Sequence, residues 1–188
     1  LATDDIHKND PGFKLIYGIE AYFVDDMIPG VYGHAKMPLT GSFVVYDTET
    51  TGLDPNNDAL TEIGAVFVEN GQINEDKKFC TFVNPGRPIP QRVVELTGIN
   101  DGMVADAPTP DEAIRQFKEF CGEHILVAHN ASSFDMLFIR KAGESAGVAF
   151  DNTYMDTLPM AQALFPGLHN YKLDTVNKHL EIPPFNHH

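Results

Sequence analysis

The stretch FVVYDTETTGLDP, residues 43–55, is the starting point of the fold. Its first residues are apolar on both faces, which predicts a strand at the centre of a sheet. Alternation sends Asp47 and Glu49 to the same side, where two carboxylates repel each other unless a cation lies between them. The strand end therefore predicts half of a divalent metal site. An isolated D-x-E pattern is more typical of a capping aspartate followed by a solvated glutamate, so other residues must decide.

The rest of the chain predicts an α/β fold. Residues 62–85 contain two β-type runs around Asn70-Gly71, a dipeptide typical of a type I′ hairpin turn, although the polar residues after it could lengthen the loop. Short apolar runs then alternate with helical spacing, and Thr109 or Asp111 can cap one of the helices. Three antiparallel strands followed by α-β-α-β-α indicate a mixed sheet flanked by helices. The predicted core positions of the helices are Val93, Val94, Leu96, Ala113, Ile114, Phe117, Phe120, Leu173, Val176 and Leu180.

Composition limits the possible classes of protein. The chain has 188 residues, 43% of them hydrophobic, which suits one main domain. Its net charge of −14 repels phosphate backbones and anionic membranes, so a nucleic acid partner would have to be held by metal ions or by a neighbouring protein. Cys80 and Cys121 have no metal-binding spacing and suit a reducing compartment, so we expect a cytoplasmic protein without a membrane span. The acidic N-terminus suggests a cut within a longer chain.

Two further segments carry residues suited to a metal site. In LVAHNASSFD, residues 126–135, a buried strand ends and a helix begins with Asp135 in its first turn. That carboxylate can point over the edge of the sheet and complete a set of three oxygen ligands for Mg²⁺ or Mn²⁺. The chain ends in a predicted helix, a proline break and two histidines, His187 and His188, which a purification tag could also explain.

These segments, in their order along the chain, resemble a known family. FVVYDTETTGLDP, ELTGINDGMVADAPTPDEA, LVAHNASSFD, YMDTLPMAQALFP and YKLDTVNKHLEIPPFNHH are similar to the motifs of DEDDh-type 3′→5′ exonucleases of the DnaQ group. FKLIYGIEAYFVDDMIPG, residues 13–30, resembles the part of PolC-type DNA polymerases III where an exonuclease interrupts the polymerase and histidinol phosphatase (PHP) domain. The resemblance implies a PHP-like fragment and linker over residues 1–41 and an exonuclease domain over residues 42–188, truncated at its C-terminus.

The resemblance implies a ribonuclease H-like fold and two divalent cations, Mg²⁺ or Mn²⁺. In the family's arrangement, Asp47 bridges both cations, Glu49 holds the one that binds the attacking water, and Asp135 anchors the second. His188 would be the general base. The residues expected to contact substrate are Thr50, Gly52, Leu53, His129, Asn130 and Phe134.

The implied activity is proofreading in DNA replication. A domain of a DNA-directed DNA polymerase would remove nucleoside 5′-monophosphates from single-stranded or mispaired DNA 3′ ends, with the remainder of the polymerase and the replisome as partners. Two alternatives stay open. One is an exonuclease of the same fold that acts on short RNA, and the other is a non-catalytic scaffold or interaction domain.

The chain departs from the family pattern twice. The family's last metal ligand is an aspartate five residues after the catalytic histidine, and this chain ends at His188. Either the domain is cut short, which we favour, or the fragment binds metal weakly. HNASSFD is also one residue longer than the usual H-N-x-x-F-D. The extra serine is either absorbed in a wider turn or shifts the register of Asp135.

Overall fold

A six-stranded mixed sheet organises residues 28–183, the part of the chain that the computed structural model describes. In chain order the strands are β1 (Val31–Tyr32), β2 (Ser42–Thr50), β3 (Leu60–Glu69), β4 (Gln72–Phe82), β5 (Ile125–Ala128) and β6 (Tyr154–Asp156). Their spatial order is β1-β6-β5-β2-β3-β4. β2, β3 and β4 are antiparallel to one another, whereas β2, β5 and β6 run parallel. The predicted mixed α/β sheet is confirmed.

β2 is the central strand that its sequence predicts. It lies between β3 and β5, and its core-facing residues Val44, Tyr46 and Thr48 are buried. The opposite face carries Asp47, which is exposed, and Glu49, which is half-buried. The carboxylates therefore lie on the face that does not bear the main core.

The hairpin between β3 and β4 also follows the prediction. Asn70 and Gly71 have φ values of 53° and 74°, and Glu69 pairs directly with Gln72. Positive φ at both central residues is the type I′ geometry, whose twist matches that of the flanking strands. The polar residues after the turn lie in β4, so they do not lengthen the loop.

The helices are α1 (Gln91–Thr97), α2 (Asp101–Val104), α3 (Pro110–Cys121), α4 (Asp135–Ala146), α5 (Thr157–Leu164) and α6 (Leu173–His179). Thr109 caps α3 in a reciprocal capping box with Glu112, as expected for one of the two predicted caps. α3 buries Phe117 against the rings of Tyr46, Phe79 and Phe150. These contacts fasten α3 to the β2 and β4 side of the sheet.

Three predicted positions differ in the structure. Leu96, Leu173 and Leu180 expose 76%, 38% and 48% of their surface, so they are not core residues. Each lies in a short helix of seven residues or directly after one, and so short a helix buries only a narrow stripe. Within the predicted linker, residues 31–32 form β1, which pairs with β6 at the sheet edge. The β-type run at 13–26 lies outside the described residues, and the domain boundaries stay predictions.

A buried carboxylate fixes the turn that joins β5 to α4. Asp156 is fully buried and accepts hydrogen bonds from the N–H groups of Asn130, Ser132 and Leu158, at 2.9, 2.9 and 3.0 Å. The Ser132 hydroxyl donates a fourth, at 2.7 Å. Asp156 therefore caps α5 and holds residues 130–132 at the same time.

Asp156→Ala is expected to lower the free energy of unfolding by about 3 kcal/mol or more, because three N–H groups and a hydroxyl lose their acceptor. Asp156→Asn keeps one acceptor oxygen but turns an N–H₂ group toward other donors. Its free energy of unfolding should lie between those of the wild type and the alanine variant. Urea denaturation measures both variants. A loss below about 1 kcal/mol for the alanine variant would contradict this role.

Candidate active site

The site lies where β2 extends beyond its parallel neighbour. Val45 is the last residue of β2 that pairs with β5, opposite Val127. The next five residues of β2 keep their antiparallel partners on β3 but have no strand on the other side within the described residues. Asp47 and Glu49 belong to this half-paired end, as their position in the sequence predicted.

α4 supplies the third carboxylate and fills the gap beside β2. Asp135 is the first residue of α4 and is 2% exposed. Its Oδ1 accepts hydrogen bonds from the backbone N–H of Thr48, at 3.1 Å, and from the Thr48 hydroxyl, at 2.7 Å. Thr48 is the residue between Asp47 and Glu49. The structure thus attaches the third predicted carboxylate to the backbone between the first two.

The extra residue in HNASSFD is absorbed in a wide turn. Residues 129–134 form the turn, in which the N–H of Phe134 donates to the carbonyl of Asn130 and the N–H of Met136 to that of Ala131. Asn130 adopts a left-handed conformation with φ of 65°, which asparagine tolerates well. Asp135 reaches Thr48 across this turn. A wide turn is thus present, and the ligand role of Asp135 stays a prediction.

Electrostatics couples the three carboxylates. Burial raises the pKa of Asp135 to about 7, the nearby charge of Asp47 adds to the rise, and the Thr48 hydrogen bonds oppose it. Burial likewise raises the pKa of Glu49 to about 7, with further contributions from the charges of Asp47, Glu62 and Asp135. Glu62 lies directly opposite Glu49 on β3. The site therefore carries more negative charge than its surroundings stabilise.

This donor set suits a hard divalent cation, although its side chains are not arranged around one. Among residues 28–183, no three His, Cys, Asp or Glu side chains are grouped as they would be around a metal ion. Carboxylate oxygens are nevertheless the ligands that Mg²⁺ and Mn²⁺ prefer. A cation would also offset the repulsion that raises the pKa values of Glu49 and Asp135. The ligand roles of Asp47, Glu49 and Asp135 stay predictions, and His188 lies outside the described residues.

The turn after β2 is built around Asp58. Its carboxylate accepts from the Thr51 hydroxyl at 3.2 Å and from the N–H of Asp54 at 3.0 Å. A Cβ at Gly52 would lie 2.3 Å from Asp58 Oδ2, so any other residue there would displace the Asp58 carboxylate from these hydrogen bonds. The Thr50 hydroxyl donates to the Gly52 carbonyl at 2.5 Å, which engages the Thr50 side chain within the turn. Leu53, at the tip, is 83% exposed.

A cleft of about 340 Å³ brings most of the predicted substrate residues together with Glu49. Its lining residues are Glu49, Thr50, Gly52, Leu53, Arg92, Val93, Leu96, Thr97 and Phe134. Arg92, Leu96 and Thr97, from α1, were not expected at the site. The four-residue spacing of Arg92 and Leu96 puts them on one helix face. This spacing was the signal in the sequence that could have indicated a shared surface. Asn130 lies outside this cleft, in the turn described above.

His129 uses both ring nitrogens within the protein. Nδ1 lies 2.9 Å from the Thr157 hydroxyl, and Nε2 lies 2.8 Å from the Tyr171 carbonyl oxygen. A direct contact between a ring nitrogen and substrate would replace one of these bonds. The hydrogen bonds to Thr157 and Tyr171 therefore compete with the substrate contact predicted for His129.

Comparison with protein families identifies the class. A family model described as Exonuclease (RNase_T) matches residues 44–188. The chain therefore belongs to this exonuclease family, whose members generally use divalent metal ions. The three carboxylates and the cleft lie within the matched range.

Within this class, the chain is similar to one segment of larger DNA polymerases. It is 46% identical over 177 residues to the PolC-type DNA polymerase III of Caldanaerobacter subterraneus subsp. tengcongensis and 43% identical over 180 residues to that of Bacillus subtilis. Each alignment covers 94% of this chain, which spans 12% of the length of these relatives.

Solved structures show the fold. Escherichia coli exonuclease I in complex with a dA16 oligonucleotide matches 79% of this chain and 37% of its own, with a TM-score of 0.68 and 17% identity. A product-bound structure of exonuclease I matches 79% of this chain and 40% of its own, with the same TM-score and identity. The predicted ribonuclease H-like fold is confirmed. Separately, no helix in residues 28–183 has the length and apolar character to cross a bilayer.

Asp135→Asn is expected to stabilise the metal-free protein at pH 8 by roughly 1–3 kcal/mol, because asparagine keeps the oxygen that accepts from Thr48 but carries no charge. The pKa of Asp135 rises to about 7 in the folded state. The metal-free wild type should therefore lose stability as the pH rises from about 4 to about 7, because the unfolded chain releases this proton at lower pH. The two proteins should then differ little near pH 4. Urea denaturation in the presence of a chelator measures this, and a less stable variant at pH 8 would contradict it.

Proposed function

We propose that this domain is a metal-dependent 3′→5′ exonuclease that removes nucleoside 5′-monophosphates from single-stranded or frayed DNA ends during proofreading. The observation that carries the proposal is the attachment of Asp135 to Thr48, which places three acidic residues at one strand end beside a nucleotide-sized cleft. Membership of the exonuclease family supports the reaction class. The similarity to PolC-type polymerases supports DNA as the substrate.

The acidic residues are proposed to hold two cations, Mg²⁺ or Mn²⁺. Asp47 would contact both, Glu49 the one at the attacking water, and Asp135 the other. Bound cations would lower the pKa of that water and stabilise charge on the leaving 3′-oxygen. Asp135 can serve as a ligand while fixed to β2, since its Oδ1 accepts from Thr48 and a carboxylate has a second oxygen.

The cleft is proposed to bind the terminal nucleotide. Its lining is mainly apolar, with exposed leucine side chains from the turn and from α1, Leu53 and Leu96, and the half-buried ring of Phe134. Apolar and aromatic side chains stack with a base of any identity, which suits an enzyme that must remove every nucleotide. Because a base in the cleft cannot remain paired, a frayed or mispaired end is the expected substrate.

A histidine near neutral pKa can take the proton of the attacking water, and His188 is proposed as this base. It follows α6 along the chain. The family's fourth acidic ligand would come five residues later, so the active protein is expected to need sequence beyond His188.

DNA is proposed to be delivered by other parts of a polymerase chain and its replisome. The net charge of −14 disfavours binding of a phosphate backbone by this domain alone. Arg92 is the cation of the cleft. A cytoplasmic location is part of the same proposal.

The direct test is release of mononucleotides from a 3′-labelled single strand, using a polypeptide that continues past His188 through the expected aspartate. Mn²⁺-dependent release is expected, with Asp47→Ala as the inactive control because Asp47 would bind both cations. No release, or equal release from the variant, would contradict an enzymatic role and favour the scaffold alternative. A matched RNA strand separates the substrates, and faster RNA cleavage would contradict the proofreading role.

Leu53→Ala is expected to raise KM for single-stranded DNA about 5- to 30-fold with a small change in kcat, because packing of the leucine side chain against a base contributes about 1–2 kcal/mol. The side chain is exposed, so the free energy of unfolding should stay unchanged. Steady-state kinetics measures the effect, with the exposed Leu164→Ala as a matched control outside the cleft. An unchanged KM would remove Leu53 from the nucleotide site.

A further inference from the structure

His129 joins the end of β5 to the loop that precedes α6. It follows Ala128, the last residue of β5. Nε2 lies 2.8 Å from the carbonyl oxygen of Tyr171, which is 42 residues away in the chain. A carbonyl oxygen only accepts hydrogen bonds, so Nε2 must carry a proton. On the other side of the ring, Nδ1 lies 2.9 Å from the Thr157 hydroxyl, at the first position of α5.

The Tyr171 carbonyl belongs to a connected set of contacts. The Tyr171 hydroxyl donates to the carbonyl of Phe165 at 3.0 Å. The Phe165 ring in turn makes an edge contact with His179, the last residue of α6, at 4.8 Å between ring centroids. The loop 165–172 and both ends of α6 are therefore linked to β5 through His129.

α6 contributes few side chains to the core. Of its seven residues, only Val176 is buried. A short helix with one buried residue is a weakly anchored element, since tertiary packing provides most of the stability of such helices. We therefore expect the hydrogen bond from His129 to contribute to the position of the segment 165–180.

We propose that His129 is a positioning residue rather than a substrate ligand. Through its Nε2–H bond to Tyr171, it holds the segment 165–180 against the carboxyl end of β5. Leu173, the first residue of α6, lines one pocket together with His129 and Asp47, so the position of the segment shapes the surroundings of Asp47. The expected effect on catalysis rests on the proposed exonuclease function, whereas the attachment of the segment stands on the contacts alone.

Two substitutions separate the two ring nitrogens. In His129→Gln, the amide N–H₂ reaches the region of Nε2 and can still donate to Tyr171. In His129→Asn, the shorter amide can replace only the Nδ1 contact with Thr157. The experiment measures hydrogen exchange by mass spectrometry over peptides covering 165–180, together with kcat and KM on a 3′-labelled strand, in the extended polypeptide described above.

His129→Asn is expected to speed exchange in 165–180 about 10-fold or more, because the segment opens more often, and to lower kcat about 10- to 100-fold with KM nearly unchanged. His129→Gln should restore most of both properties. Thr157→Val removes the hydroxyl that contacts Nδ1 and the Ala128 carbonyl oxygen but leaves the Nε2 bond to Tyr171. It serves as the matched control and should leave exchange in 165–180 close to that of the wild type.

Unchanged exchange in the asparagine variant would overturn the proposal, as would a raised KM in both histidine variants, which would indicate substrate binding. An effect of Thr157→Val as large as that of His129→Asn would also overturn it, because the attachment of the segment would then not depend specifically on the Nε2 bond to Tyr171. If the wild type released no nucleotides, the exonuclease proposal would fail on its own, and the exchange results would still decide whether His129 holds the segment.

Discussion

The hydrogen bonds from Thr48 to Asp135 are the interaction on which the rest of the site depends. β2 extends beyond β5, so within residues 28–183 no strand lies beside Thr48 on that side, and Asp135 accepts a hydrogen bond from the Thr48 N–H. The same contact places the start of α4 beside the carboxylates of β2. Asp156 supports this contact indirectly, because Asp156 holds the turn that leads from β5 into α4. One carboxylate thus accepts from the backbone of the sheet and is also the proposed third metal ligand.

This arrangement has an electrostatic cost that points to cations. Three acidic residues share a strand end, and burial raises the pKa values of two of them to about 7. A chain with a net charge of −14 supplies little positive charge to compensate. Such a site is most stable when it binds divalent metal, since the metal replaces the missing counter-charge. A charged Asp135 would serve the proposed metal binding but lowers the stability of the metal-free protein.

The sequence predicted the order of strands and helices because each element has its own local signal. The alternation along β2, the Asn70-Gly71 turn and the Thr109 cap are all readable without tertiary context. It also predicted that Asp47, Glu49 and Asp135 belong to one site. The Thr48 partner of Asp135 could not be predicted, because it depends on where β5 ends relative to β2. The same holds for Leu96, whose apolar character indicated the core although it lines the cleft.

The central claim is that Asp135, fixed by Thr48, is a metal ligand together with Asp47 and Glu49. Anomalous scattering from crystals of the extended polypeptide grown with Mn²⁺ tests it most directly. The account predicts manganese peaks bound by all three carboxylates, with Asp135 still accepting from the Thr48 N–H. Manganese that binds Asp47 and Glu49 without contact to Asp135, or that binds elsewhere in the protein, would contradict it.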